Sequence, residues 1–430
     1  MPKKSKTKLN SLLRGAYNPK SLAAIAEHLE AHRTHLLRPI ANGLFAATPE
    51  LIEGSVTGYQ NAWIRDNVMV ANSFRLRGQL DVARGASQGL TNYFSKHLNR
   101  FHKIIASPAL KENIQERPHV RFDALTLGEI GENWPHAQND ALGYALWLRF
   151  VMANSAEDPW PLTENDWQVY GLFPDYFAAI EFWSDPDSGS WEETRKVNNS
   201  SVGAVVAGLV QMRQRVVRAN KSSGELPEFA EKGMLHKIDS LIDKGRERLA
   251  KTLPFESPPE RMMDGALLFL IYPVDVLKSR DLENSILNLT EARLRGPMGI
   301  KRYLGDSYFC QDYDRWFPPE QQAADFSNSI AYRDALLEPG CEAQWNLFDP
   351  IISIIYARRY AESRQASDLE RQTYYFNRSL SQNTPDGQCP ELYFLKNGKF
   401  VINDHTPLAW TQANQALALH FMQKSVQRRA

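Results

Sequence analysis

Apolar residues recur at three- and four-residue spacing from one end of the chain to the other, and alternating strand-like stretches are scarce. The pattern predicts an all-α protein. Helices are expected over 20–37, 62–79, 81–98, 138–154, 172–182, 199–219, 227–250, 261–273, 280–293, 342–363, 367–379 and 407–424. Proline and glycine punctuate the connections, as in Asp158-Pro159-Trp160-Pro161, Pro258-Pro259 and the run from Pro385 to Gly387. A dozen helices at about 36 residues per helix and connection suit six helical hairpins closed into a toroid. No Ser/Gly-rich linker divides the chain, so residues 16–430 are expected to form one domain. Residues 1–15, with Lys3, Lys4, Lys6 and Lys8, read as a flexible basic tail.

Charge and cysteine content narrow the classes. The 50 Lys and Arg residues balance the 50 Asp and Glu residues, and no basic stripe marks a nucleic-acid surface. Cys310, Cys341 and Cys389 are few and far apart, which argues against a disulfide framework and suits a reducing cytoplasm. No apolar run approaches the roughly 18 residues of a membrane span, and the basic N-terminus lacks the apolar core of a secretory signal. The sequons at Asn198 and Asn199 are therefore expected to carry no glycan.

The unusual residues sit in the connections and helix starts. They are Trp63, Arg65 and Asp66; Trp134, His136, Gln138, Asn139 and Asp140; Trp191, Glu192 and Glu193; Arg302, Tyr303, Asp306 and Tyr308; Glu342 and Trp345; and Glu391 with Tyr393. Each cluster pairs an aromatic ring with charged or amide groups. Taken singly, an acidic residue such as Asp66 or Asp140 reads equally well as a helix cap. Repetition at successive hairpin tips points to one shared polar and aromatic pocket. Trp191-Glu192-Glu193 is its most telling part, because an indole face packs on a sugar ring and a carboxyl buried beside it acquires a raised pKa. His28, His32 and His35 share a helix face and His97 lies near His102, but neither set has an acidic or Cys partner. No metal ion and no cofactor are expected.

In order along the chain, Ala62-Trp63-Ile64-Arg65-Asp66-Asn67, Trp134-Pro135-His136-Ala137-Gln138-Asn139-Asp140, Trp191-Glu192-Glu193, Asn199-Ser200-Ser201-Val202-Gly203, Lys301-Arg302-Tyr303, Glu342-Ala343-Gln344-Trp345 and Pro390-Glu391-Leu392-Tyr393 resemble glycoside hydrolase family 15, the glucoamylase-like enzymes. In style they are nearest to the glucoamylase-like domains of the phosphorylase kinase α and β regulatory subunits. The resemblance implies an (α/α)6 barrel and exo-hydrolysis of terminal α-linked glucose with inversion. It assigns Glu192 as general acid, Glu193 as a sugar-binding neighbour, and Glu391 as general base. It also implies substrate contacts from Trp63, Arg65, Asp66, Trp134, Gln138, Asp140, Trp191, Arg302 and Trp345.

Inversion requires a protonated carboxyl on the glycosidic oxygen and a carboxylate activating water on the opposite ring face, about 6.5 to 9.5 Å away. Burial against Trp191 and the adjacent charge of Glu193 are expected to raise the pKa of Glu192, while Asp66 is expected to pair with Arg65. The expected substrates are soluble oligosaccharides or glucosides, with no nucleic-acid or membrane partner. The base loop Gly387-Gln388-Cys389-Pro390-Glu391-Leu392-Tyr393 looks more like the kinase subunits than the fungal glucoamylases. The alternative is therefore a catalytically silent or weakly active glucan-binding regulatory protein.

Overall fold

The computed structural model of the chain describes residues 8–48, 58–221 and 233–429. Its long helices are α1 (Pro19–Ala31), α2 (Ile64–Leu76), α3 (Leu80–Lys96), α4 (Asn139–Ala153), α5 (Asn199–Lys221), α6 (Met234–Thr252), α7 (Phe348–Ser363), α8 (Ala366–Ser381) and α9 (Ala409–Arg429). Packing closes them into a ring. α2 packs on α4, α4 on α5, α5 on the short helix Leu268–Ile271, that helix on α7, α7 on α9, and α9 back on α2. Outside this inner ring lie α1, α3, the Glu164–Tyr170 and Phe173–Ile180 pair, α6, the Arg280–Leu289 helix and α8. The result is an (α/α)6 barrel.

The two rings differ as their burial requires. In α2 every residue from Ile64 to Phe74 is buried, and in α4 every residue from Asn139 to Phe150. An inner helix has neighbours on all sides and needs no polar face. α6, in contrast, buries only Ile238, Leu241, Ile242, Gly245 and Leu249, one stripe at helical spacing, and leaves its charged face in water. Backbones come close where α4 crosses α5. A Cβ on Gly143 would stand 2.5 Å from the Val205 nitrogen, and one on Gly208 would stand 2.8 Å from the Gly143 carbonyl.

Several expected helices are trimmed for local reasons. The segment 261–273 is helical only at Leu268–Ile271, after a 3-10 turn at Gly265–Leu267 that Asp264 caps through the Ala266 N–H. Pro258 and Pro259 precede it and Pro273 stops it. The segment 342–363 becomes helical only at Phe348, because Gln344–Trp345 is a strand. That strand pairs antiparallel with β1 (Leu392–Lys396), Trp345 opposite Leu392, and β1 pairs with β2 (Lys399–Ile402). The N-terminal part of the helix expected over 227–250 lies outside the described residues up to Gly233, as do residues 1–7 of the expected tail. Within that tail, Lys8–Leu12 form a helix with Leu9 buried.

Asp66 and Asp140 occupy the first turns of inner helices, Gln138 and Leu347 cap two of them, and Trp410 opens α9. The polar residues singled out in the sequence thus gather at the N-terminal ends of the inner ring, where helix dipoles favour anionic groups.

The Gly143 crossing makes a stability prediction. Alanine is favoured over glycine in a helix by about 1 kcal/mol, but here its methyl meets backbone that cannot rotate away. Gly143→Ala should lower the unfolding free energy by about 1–3 kcal/mol in chemical denaturation. Gly15→Ala, with nothing within 4 Å of the added Cβ, should leave it unchanged.

Candidate active site

A cavity of about 830 Å³, counting its open mouth, lies over these helix ends. Of the residues expected in a pocket, Trp63, Arg65, Asp66, Trp134, Trp191, Glu192, Glu193, Arg302, Trp345 and Glu391 all line it. Gln138 and Asp140 do not, nor do His136, Asn139, Tyr303, Asp306, Glu342 and Tyr393 of the same clusters. Gln138 and Asp140 are the two assigned to substrate. They stand behind Arg65, whose guanidinium donates to Asp140 Oδ2 at 2.8 Å and to Gln138 Oε1 at 2.7 Å. Arg65 is therefore partnered by Asp140 rather than by Asp66, and the expected Arg65–Asp66 clamp is replaced by an Arg65–Asp140 pair that fixes one wall. Gln138 also donates to Glu192 Oε1 at 3.2 Å. Both act on the cavity through another side chain.

Glu192 sits in the loop between an antiparallel bridge at Asp187 and Lys196 and is held in the left-handed region at φ 60°. A non-glycine residue there is under backbone strain of order 1 kcal/mol. Asn198 pins the loop by donating to the Asp187 carbonyl and carboxylate, each at 2.9 Å. Burial raises the pKa of Glu192, opposed by the Arg65 guanidinium, the Gln138 amide and a hydrogen bond from Trp63. Arg65 Nη1 stands 3.9 Å away, too far to cancel the desolvation. Asp66, in the same wall, is pushed up to about 7 by burial, with the negative charges of Glu192 and Glu391 adding to it against Arg65.

Glu193 departs from the expectation. Its carboxylate receives Arg261 at 2.9 Å, Arg302 at 3.0 Å, Arg333 at 2.6 Å and the Tyr303 hydroxyl. Burial alone would raise its pKa, but the guanidiniums of Arg302, Arg333 and Arg261 hold it well below the usual carboxylate range. Its charge is neutralised where it stands and does not drive the pKa of Glu192, which burial raises. With both carboxylate oxygens occupied, Glu193 holds the wall together.

Glu391 also lines the cavity and stands just before β1. Its Oε1 accepts from the Tyr59 hydroxyl at 2.8 Å, and its Oε2 accepts from Asn403 at 2.5 Å and lies 3.0 Å from His405 Nδ1. The Tyr59 ring stacks on His405, with centroids 3.7 Å apart. Tyr308 belongs to a cluster the sequence picks out, whereas Tyr59, Asn403 and Trp410 do not. A signal for Asn403 and His405 was present. Asn397-Gly398 between Leu392–Lys396 and Lys399–Ile402 is a two-residue hairpin turn, and both residues adopt positive φ. That hairpin folds Asn403 and His405 back on Glu391.

The lid over the cavity was also unforeseen. Ala323, Ala324, Asp325 and Phe326 line it, fastened by Arg333 to Glu193 and by the Thr194 hydroxyl to the Ser327 carbonyl at 3.0 Å. Three indole N–H groups of the wall, on Trp134, Trp345 and Trp410, are buried without an acceptor among the described residues. Donors so placed suit a ligand rich in hydroxyl oxygens. Among the described residues no group of three or more His, Cys, Asp or Glu could hold a metal ion, and no helix is long and apolar enough to cross a membrane.

Comparison with known proteins agrees with this geometry. The sequence profile of the glycosyl hydrolases family 15 matches residues 28–338, and the chain belongs to that family. "Probable phosphorylase b kinase regulatory subunit alpha" of Drosophila melanogaster is 26% identical over 346 residues, 72% of this chain and 25% of that one. The chain thus spans about a quarter of that relative's length. A glycosidase variant solved in complex with glucose superposes with a TM-score of 0.67 at 17% identity, covering 95% of this chain and 99% of that one. The glucoamylase from Saccharomycopsis fibuligera superposes at 0.61 with 13% identity, covering 98% of each chain. These two share the barrel fold.

The contrast between the adjacent acids is testable. Glu193→Gln leaves three buried guanidiniums short of their counter-charge and should cost about 3–5 kcal/mol in denaturant unfolding. A carboxyl with a depressed folded pKa stabilises fully above its unfolded value near about 4.3 and loses that contribution as pH falls through the folded one. Wild-type stability should therefore drop below about pH 4 more steeply than that of Glu193→Gln. Glu192, with its raised folded pKa, has the opposite sign, so Glu192→Gln should leave the Tm at neutral pH unchanged or higher.

Proposed function

We propose that the protein is an inverting, exo-acting α-glucosidase that removes terminal α-linked glucose from soluble oligosaccharides or glucosides. The observation that carries this reading is the placement of Glu192 and Glu391 on the wall of one aromatic cavity, in different environments. Family membership supports the reaction class.

In the proposed reaction the terminal sugar lies among Trp63, Trp191, Trp345 and Trp410, whose indole faces supply apolar contact, and the N–H groups of Trp345 and Trp410, unpartnered among the described residues, meet hydroxyls. Asp66 and Arg65 receive its outer hydroxyls. Glu192, kept protonated by burial, gives its proton to the glycosidic oxygen as the bond to the anomeric carbon breaks. Glu391 takes a proton from water attacking the opposite face of that carbon, and product leaves as the β-anomer. The Tyr59 hydroxyl, bonded to Glu391 Oε1, orients the carboxylate and the water it activates. Asn403 and His405 occupy Oε2, so Oε1 is the oxygen directed to the reaction.

A second chamber offers room for the departing group. It shares Trp134, Ala323, Ala324 and Asp325 with the catalytic cavity, and carries Glu132, Glu320 and Asp325 against one cation, Arg121. Arg121 is stacked 4.1 Å over Trp134 and paired with Glu132 at 3.1 Å. Amide groups and an acidic excess suit an uncharged polyhydroxy leaving group and repel an anionic one.

Proton NMR of the first product checks the stereochemistry: β-glucose is expected, and an α-anomer would overturn the mechanism. Glu192→Gln and Glu391→Gln should each lower kcat by at least about 100-fold, and Tyr59→Phe by about 10- to 100-fold. The acid must be protonated, so kcat/KM should fall as pH rises through the raised pKa of Glu192, and Glu192→Gln should abolish that alkaline limb. The likeness to the kinase regulatory subunit supports a second reading, a glucan-binding barrel without turnover. Saccharide binding by calorimetry, with no glucose release from maltose, isomaltose, trehalose or dextrins, would decide for it.

A further inference from the structure

Behind the hairpin that carries Glu391 is another cavity, of about 750 Å³ with its open mouth, formed where the chain leaving α1 meets both ends of that hairpin. Its walls include Arg33, Thr34 and Arg38 on one side, Gly387 and Gln388 on the incoming end, and Pro407 with Gln412 on the outgoing end. Gln388 is three residues before Glu391 and Pro407 two after His405. The two ends are themselves tied, since the Leu408 N–H donates to the Cys389 carbonyl at 3.0 Å.

Two features of this cavity are unexplained by the fold. Thr34 and Gln412 are 2% and 3% exposed, yet among the described residues Thr34 Oγ1 and Gln412 Oε1 have no hydrogen-bond partner. A buried donor or acceptor left unsatisfied is costly, so a partner at this place is favoured. The Gln412 amide is not free to swing away, because its Nε2 donates to the Thr34 carbonyl at 2.8 Å. Gly387, at φ +87°, keeps the wall open: a Cβ there would stand 3.1 Å from Thr34 Oγ1 and 2.6 Å from His32 Cβ. Above these groups, Arg33 and Arg38 are exposed, and among the described residues neither is paired with a carboxylate. Asp386 is the one acidic residue in the lining, which leaves a cationic excess.

We propose that this cavity is a second ligand site that takes a phosphorylated sugar, and that its occupant modulates turnover through the hairpin carrying Glu391. The phosphate pairs with Arg33 and Arg38, whose planar donors match its oxygens. The hydroxyls meet Thr34 Oγ1 and Gln412 Oε1, with Asp386 at the rim as a further acceptor. An occupant spans the chain after α1 and both ends of the hairpin, and so restrains the segments on either side of Glu391 and His405. By linkage, a ligand that favours one hairpin position changes affinity at the catalytic cavity, and substrate changes affinity for the ligand in return.

The test is isothermal calorimetry on the full chain, with glucose 6-phosphate, inorganic phosphate and glucose as probes, beside the Arg33→Ala/Arg38→Ala variant. Saturable binding of glucose 6-phosphate is expected, weakened at least about tenfold in the variant, and preserved in Glu192→Gln. Equal binding of inorganic phosphate would identify free phosphate as the source of the anion and overturn the sugar component of the site. Glucose release from a neutral disaccharide should change at least about twofold with saturating glucose 6-phosphate, and that response should vanish in the double variant while its basal rate is unchanged. No binding at about 10 mM, or binding indifferent to the two arginines, would overturn the site. The calorimetric result stands apart from the hydrolase reading, since it needs no turnover. Thr34→Val, which removes the hydroxyl at nearly constant volume, should weaken glucose 6-phosphate more than inorganic phosphate.

Discussion

The cavity wall depends on the charge of Glu193. Arg261, Arg302 and Arg333 come from three separated stretches of chain, and all three end on this one carboxylate together with Tyr303. A carboxylate that deep is tolerable only if its charge is fully matched, and three guanidiniums so close to one another are tolerable only around an anion. Asp306 supplies the second anion, bonding Arg302 at both Nε and Nη2. The cluster cross-links the loop bearing Glu192, the segment after the inner helix Leu268–Ile271, and the lid. Each of these pieces is irregular chain that hydrophobic packing alone would leave poorly specified.

That anchoring explains how adjacent acids come to differ in character. Glu192 and Glu193 share a loop, but the left-handed turn at Glu192 sends their side chains to opposite environments. One meets indole, an amide and a guanidinium 3.9 Å away; the other meets three guanidiniums at hydrogen-bonding distance. Coulomb energy falls with distance and with solvent access, so the nearer, drier set prevails at Glu193, and desolvation prevails at Glu192. The strain at φ 60° is sustained because the Asp187–Lys196 bridge, Asn198 and the Glu193 cluster hold the loop on both sides.

Barrel and cavity were legible in the sequence to different depths. The inner helices could be read because their apolar positions are numerous and two of them start with Asp66 or Asp140 in the first turn; the ring then follows from short connections and helix count. Ten of the twelve residues assigned to a site line one cavity, because the inner helix starts and the connections that carry them meet at one end of the ring. The partnerships were not legible. Nothing in Trp63-Ile64-Arg65-Asp66 tells that Arg65 turns toward Asp140, 75 positions on, since pairing depends on which helix start lies next in the ring. The lid at 323–326 was hidden for a related reason: it has no periodicity, and Arg333 and Thr194 hold it from outside.

The base side of the cavity shows what a hairpin adds to a helical barrel. Asn397-Gly398 takes the positive φ values that a two-residue turn needs, so the register Tyr393 to Ile402 is set within the hairpin itself. Pairing of Trp345 with Leu392 then fastens this hairpin to the strand leading into α7. Glu391, immediately before β1, and Asn403 and His405, just beyond β2, are thereby brought onto the same carboxylate by backbone register rather than by side-chain packing. Tyr59 approaches from a different part of the chain and stacks on His405, which fixes the direction of its hydroxyl. Oε2 is committed to two groups of the hairpin and Oε1 to one hydroxyl, so the carboxylate has a defined orientation. Glu391 lines the same cavity as Glu192, and a carboxylate held in one orientation by three side chains is the kind of acceptor that the proposed reaction requires for water.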